Sequence, residues 1–290
     1  MTALTLSTLF ALVGVGLGAG WLGALVGIGG GVIIVPALVL GFGLDFQVAV
    51  AASLVAVIAT STTAGSVYVG RGIANMRLAL TLEIATTVGA ITGGLVAAVL
   101  AEDVLAAIFA VVMAVTGVLM VRGARRPRQR VVEEVPEEAS GWEEPGTLAG
   151  AYIDDVRGGL VRYRVEHLPL GWSVSLLAGG VSGMLGVGGG FLKVPAMNLG
   201  MDVPVKVAAA TSNFMIGVTA AASVFIYFAR GFVEPLVVAP LTLGVIVGSW
   251  LGTHSSGRAR PEVLKRVMAL ILAVVAVQMG LRAMGVTFGG

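Results

Sequence analysis

Gly27-Ile28-Gly29-Gly30-Gly31, followed by Val35-Pro36-Ala37, recurs as Gly186-Val187-Gly188-Gly189-Gly190, followed by Val194-Pro195-Ala196. Both copies lie in apolar sequence. A glycine triplet with a proline five residues later cannot continue an ordinary helix, because glycine favours positive φ and proline lacks the N–H donor of the helical ladder. In hydrocarbon an interrupted helix is tolerated only where protein buries it or where it lines a cavity. The two breaks are therefore the first candidates for a functional centre.

The surrounding sequence is that of an integral membrane protein. Of 290 residues, 57% are hydrophobic and 12% charged, and mean hydropathy is +0.98. A soluble domain carries about 25% charged residues. Apolar runs extend over Leu4 to Val26, Val48 to Val69, Leu78 to Leu100, Val104 to Val121, Leu170 to Leu185, Val205 to Ala229, Leu236 to Gly252 and Val263 to Leu281. Most approach the ~20 residues that cross a bilayer as a helix. No basic residue precedes the first run, so it is expected to be a retained span rather than a cleaved signal. The chain has no cysteine, which removes disulfides and thiolate metal sites.

The two motifs belong to a longer repeat. An offset of 159 residues, the separation of Gly27 and Gly186, also aligns Pro36 with Pro195, Ser53 with Ser212, Tyr68 with Tyr227, Arg71-Gly72 with Arg230-Gly231 and Gly93 with Gly252. Each copy reads as one span, the break, a short apolar piece (Val32 to Leu44, or Phe191 to Met201) and three further spans. Basic residues concentrate in short cytoplasmic loops. Inverting the second copy puts fifteen Lys and Arg on the side of the central loop and leaves Arg230 and Arg282 opposite, whereas a parallel arrangement divides them twelve to five. The fold expected is an all-α polytopic membrane protein of two inverted-topology repeats, each with a re-entrant, glycine-interrupted helix and three further spans. The first repeat covers 1–122 and the second 169–290. Residues 123–168 form a charged cytoplasmic linker with a short surface helix near Tyr152 to Tyr163, and both termini lie outside.

The breaks read as an anion site. The half-helices after them begin with unpaired N–H groups and a partial positive charge, and glycine lets the backbone approach a ligand. Candidate substrate-binding residues are Gly29, Gly30, Gly31, Gly188, Gly189 and Gly190, with Pro36 and Pro195 ending the motif. Ser53, Thr211, Ser212 and Asn213 are the polar groups expected to face the breaks, while Thr60 to Thr63 are expected to bond back to their own helix. Lys193, where the first copy has Ile34, is the lysine set in an apolar stretch and joins the site on that ground. Exchanging it for Ile is expected to weaken transport without unfolding the protein. Glu83, expected near the inner interface, is the candidate for a coupling proton. No metal or cofactor is expected. The Gly16/Gly20 and Gly23/Gly27 spacings read as helix packing.

The paired Gly-x-Gly-Gly-Gly motifs with Val-Pro-Ala, the spans carrying Ser53 and Ser212, and the turns Tyr68 to Gly72 and Tyr227 to Gly231 resemble the TauE/SafE sulfite exporter family of membrane transporters, which includes 4-toluene sulfonate uptake permeases. The resemblance covers both halves and omits the linker. It implies a secondary transporter that moves sulfite, a sulfonate or a related anion across the cytoplasmic membrane by alternating access, with a passive anion channel as the alternative. An enzyme is not expected: there is no Walker loop, no His-Glu-x-x-His helix and no cysteine. The expected partners are a small anion, the lipid bilayer and a coupling proton or sodium ion. Nucleic acid is not among them, and a homodimer is compatible with the reading.

Overall fold

The computed structural model describes residues 6–123, 148–154, 159–255 and 261–284. The linker's basic and acidic runs, from Arg125 to Glu144, lie outside the described residues. The first half contains α1 (Leu6–Val26), α2 (Gly31–Pro36), α3 (Phe46–Gly70), α4 (Met76–Ala97) and α5 (Glu102–Gly123). The strands β1 (Gly150–Asp154) and β2 (Gly159–Tyr163) follow. The second half contains α6 (Leu168–Leu185), α7 (Gly190–Pro195), α8 (Val205–Ala229), α9 (Pro235–Ser255) and α10 (Pro261–Ala283). Six of the helices, α1, α3, α4, α6, α8 and α9, are long and apolar enough to cross a membrane among the described residues.

Local chemistry sets the element ends. Proline removes the N–H that would continue the helical ladder and crowds the preceding turn. At Pro36 and Pro195 the short helices accordingly widen into single π-helical turns, Ala37–Gly41 and Ala196–Gly200. Asn75 caps α4 by accepting the Leu78 N–H at 3.0 Å.

Helix pairs approach through glycine. A side chain at Gly244 or Gly248 of α9 would strike the carbonyls of Val13 or Leu17, and one at Gly252 would meet that of Trp21, so α1 and α9 run parallel in close contact. Gly179 and Gly183 of α6 likewise face the carbonyls of Thr86 and Ala90 of α4, again in parallel. Between α3 and α8 the order reverses: Gly65 lies against Phe214, and Ser61 against Gly217. Gly117 of α5 meets Leu272 of α10 while Gly280 meets Ala110, so this pair is also antiparallel. Exchanging the halves maps α1·α9 onto α6·α4 and leaves α3·α8 and α5·α10 in place. Without a hydrophobic force between helices in lipid, such small-residue seams supply the packing. The opposite face of α4 carries exposed Leu80, Ile84, Val88, Ile91 and Leu95, an apolar surface suited to acyl chains.

The linker departs from expectation. Where a surface helix was expected, the strands β1 and β2 pair antiparallel, with Tyr152 opposite Val161. Tyr152 and Val161 are buried against Leu78, Leu82, Met197 and Met201, and Asn75 Nδ2 donates to the Leu148 carbonyl at 3.0 Å and to the Tyr163 hydroxyl at 3.1 Å. A short run with valine and tyrosine at alternate positions suits a half-buried strand once a partner strand covers its backbone. This part of the linker is docked on the membrane domain.

The seams make a stability prediction. Gly93→Val, which would drive a side chain into the Gly180 carbonyl, should cost about 1–3 kcal/mol by overpacking. Gly14→Val, with nothing within 4 Å, should stay within about 0.5 kcal/mol of the parent. Thermal unfolding of the detergent-solubilised protein measures both.

Candidate functional site

The site begins with backbone geometry. Gly27, Gly29 and Gly30 have φ of 79°, 88° and 77°, and Gly186, Gly188 and Gly189 have 69°, 76° and 69°. Three left-handed positions in four residues are open to glycine and costly for other residues. The chain thereby turns out of α1 or α6 and into α2 or α7 while still buried.

The two breaks touch. A side chain at Gly31 would strike the Gly186 carbonyl, and one at Gly190 the Gly27 carbonyl. Ser53 Oγ donates to the Gly186 carbonyl at 2.7 Å, and Ser212 Oγ donates to the Gly27 carbonyl at 3.1 Å. Each serine thus holds the carbonyl of the break in the other half. The hydroxyl protons of Ser53 and Ser212 are committed to these bonds, leaving their oxygens able to accept. Val57 and Ile216, equivalent by the offset of 159, close over the centre: both side chains pack within 4 Å of the Cβ positions of Gly29 and Gly188.

Donors remain open here. The N–H groups of Gly30, Gly31 and Val32, and the equivalent ones of Gly189, Gly190 and Phe191, find no acceptor among the described residues. All six residues are buried. Buried backbone N–H groups are rarely left unpaired, and unpaired ones at a helix start are suited to an anion.

The other candidates separate. Pro36 is buried and Pro195 half-buried at the ends of α2 and α7. Thr211 Oγ1 accepts the Asn75 N–H at 3.0 Å. Asn213 Nδ2 donates to the Ala24 carbonyl at 3.2 Å, and its Oδ1 is buried without a partner. Thr60, Thr62 and Thr63 bond back to Ala56, Ile58 and Ala59 as expected. Ser61 instead reaches across to the Asn213 carbonyl on α8.

Lys193 has a partner that sequence reasoning did not give it. Its Nζ lies 4.0 Å from Glu83 Oε2, with the two side chains 1% and 8% exposed. Nζ also donates to Thr219 Oγ1 at 3.1 Å, and that hydroxyl donates to Glu83 Oε1 at 2.7 Å. Glu83 is therefore buried and paired across to α7. The Cβ position of Gly189 is 3.3 Å from Lys193 Cε, which sets the lysine stem against the second break. Removing one member of such a pair leaves an uncompensated buried charge, at a cost of about 3–5 kcal/mol. Lys193→Ile alone is thus expected to destabilise the protein, contrary to the expectation from sequence.

Sequence reading also left out Thr219 as the bridge, Val57 and Ile216 as the cover, and the role of the paired tyrosines. Tyr68 donates to the Ala24 carbonyl at 3.2 Å and Tyr227 to that of Gly183 at 3.0 Å, each tying down the helix that enters a break. The offset that aligns Tyr68 with Tyr227 was the available signal, since it aligns Ala24 with Gly183 as well.

Comparison with known proteins agrees with this architecture. The family profile described as "Sulfite exporter TauE/SafE" matches residues 12–279. The chain is 26% identical over 280 residues to "Probable membrane transporter protein YunE" of Bacillus subtilis (strain 168), covering 92% of this chain and 96% of the relative. It is 26% identical over 278 residues to a "Probable membrane transporter protein" of Xylella fastidiosa (strain 9a5c), covering 94% and 95%. Over 149 residues, 49% of this chain and 31% of the relative, it is 29% identical to "Sulfite exporter TauE/SafE family protein 3" of Arabidopsis thaliana. No solved structure gives a significant match. From a match that runs through both glycine breaks, the chain belongs to the TauE/SafE sulfite exporter family of membrane transporters.

Proposed function

We propose that this protein is a secondary carrier for a small anion, with sulfite and sulfonates the class suggested by the family's description, and that it works by alternating access in the cytoplasmic membrane. The observation that carries the reading is the meeting of the two breaks with six open, buried N–H donors around it. Backbone donors select negative charge without committing to one anion. Val57 and Ile216, both buried, pack against the two breaks in this conformation, which favours a carrier with an occluded state over an open channel.

Alternating access needs two halves that can exchange roles, and inverted-topology repeats provide them. Several contacts support inversion. Equivalent helices α3 and α8 run antiparallel, as do α5 and α10. Since α1 runs with α9, and α6 with α4, the break-bearing helices α1 and α6 enter from opposite sides. Arg71 and Arg77 then share a side with Lys206 and the β1–β2 strands, while Arg230 and Arg282 lie opposite with the start of α1 and the end of α10. By the bias of basic residues, the linker side is cytoplasmic.

Two experiments test these statements. Gly70→Cys and Ala229→Cys occupy equivalent exposed positions in a chain without cysteine. A membrane-impermeant thiol reagent added outside intact cells should label Ala229→Cys and spare Gly70→Cys, whereas equal labelling of the two contradicts inversion. Counterflow in proteoliposomes, run against sulfite, methanesulfonate, sulfoacetate, thiosulfate, sulfate and small carboxylates, should show saturable exchange for a sulfur oxyanion. Unitary currents without saturation would assign a channel instead.

A further inference from the structure

The ion pair is one-sided in a molecule otherwise built twice. Shifting Lys193 and Thr219 back by 159 gives Ile34 and Thr60, and shifting Glu83 forward gives Thr242. Thr60 Oγ1 donates to the Ala56 carbonyl one turn earlier, whereas the single hydroxyl proton of Thr219, 3.0 Å from the equivalent Met215 carbonyl, goes to Glu83 Oε1 at 2.7 Å. The first break thus has an uncharged version of the surroundings that the second break fills with a lysine and a glutamate. Burying both charges carries a desolvation cost that an apolar replacement avoids. Charges held at that cost inside membrane helices are a functional signal.

The carboxylate uses its oxygens unequally. Oε1 accepts from Thr219 at 2.7 Å and from Thr87 at 3.4 Å. Oε2 is buried, has no hydrogen bond and stands 4.0 Å from the ammonium. A proton can occupy Oε2 without displacing any hydrogen bond. Of the elements packed around Glu83, α6 carries no ionisable side chain and α7 only Lys193. On α8, Lys206 and Tyr227 are more than two turns from Thr219, and on α4 itself Arg77 is six residues away. Among the described residues, Lys193 is the charged group that faces the carboxylate.

We propose that proton and anion enter this carrier together: a proton on Glu83 Oε2 releases Lys193, and the freed ammonium binds the anion beside the second glycine break. This deepens the anion-carrier reading and rests on it. Hydronium from the bulk solvent supplies the proton: one of its O–H bonds breaks to leave water, one forms at Glu83 Oε2, and no electron moves. Lysine stays an ammonium throughout. The empty centre holds one positive and one negative group. The loaded centre holds ammonium, monoanion and neutral acid, so both are electrically neutral. A centre with proton but no anion, or anion but no proton, would bury an unpaired charge, which couples the two in a one-to-one ratio.

The test uses proteoliposomes of the full chain with radiolabelled methanesulfonate, a monoanion whose charge is constant over the working pH range. Counterflow that selects only dianions overturns the neutral one-to-one pairing. A gradient of one pH unit, acid on the entry side, should concentrate methanesulfonate about tenfold, the limit for one proton per anion. A potassium diffusion potential should leave its rate unaltered. In Glu83→Gln the lysine is permanently released, so gradient-driven accumulation should vanish and residual exchange should become flat with pH. The double variant Glu83→Thr with Lys193→Ile copies the first half; it should unfold near the parent temperature yet accumulate no probe. Accumulation that ignores the pH gradient in the parent, or that survives in either variant, overturns the coupling and leaves the carrier standing. Should Glu83→Gln not fold, the double variant decides alone. Absence of counterflow for every anion in the parent removes the carrier reading, and the coupling with it.

Discussion

A carbonyl freed by breaking a helix in hydrocarbon has no water to receive, and here each broken helix has that carbonyl satisfied by the opposite half of the molecule. Ser53 serves Gly186 and Ser212 serves Gly27. That exchange dictates much of the architecture. The breaks must lie side by side, so no Cβ is tolerated at Gly31 or Gly190. The serine-bearing helices α3 and α8 must cross between them. The helices that enter the breaks must be held from outside, by Tyr68 and Tyr227 through hydrogen bonds and by α9 and α4 through glycine seams. In this structure each of these two carbonyls is held from the other half.

The same arrangement holds the Gly27 and Gly186 carbonyls and leaves donors of the broken backbone open. Those two carbonyls are paired, while N–H groups at the starts of α2 and α7 stay open. Spare donors at a helix start favour an anion. The ion pair between Lys193 and Glu83 adds a charge that is matched in this conformation, so the site holds latent rather than net positive charge. Symmetry in the backbone thus coexists with asymmetry in the side chains. The backbone supplies a cradle open to either half, and the charges mark one break as distinct.

Sequence reading recovered what periodicity and local chemistry encode. The spans followed from apolar length, the breaks from Gly29 to Gly31 and Gly188 to Gly190, and the duplication from a constant offset that carried Tyr, Arg and Pro in register. It chose Ser53 and Ser212 because they are equivalent, but not their partners, since a hydroxyl on a helix bonds equally well to its own preceding turn. It separated Lys193 from Glu83 because they lie in different halves, and a lone buried charge cannot be told from a paired one without tertiary contacts. The hairpin at β1 and β2 was misread because short apolar runs fit a helix face and a strand alike until a partner strand is known.

Amide resonances of the break glycines, followed while an anion is titrated, address the central claim most directly. Glycine labelled with carbonyl carbon-13 and nitrogen-15 restricts a filtered spectrum to Gly-Gly peptides, which include Gly30, Gly31, Gly189 and Gly190, with Gly94 and Gly180 as internal controls. Open N–H donors at an anion site predict saturable shifts at the break positions upon addition of methanesulfonate or sulfite, with the controls fixed. Unmoved break amides in a preparation that demonstrably transports the same anion would contradict the account.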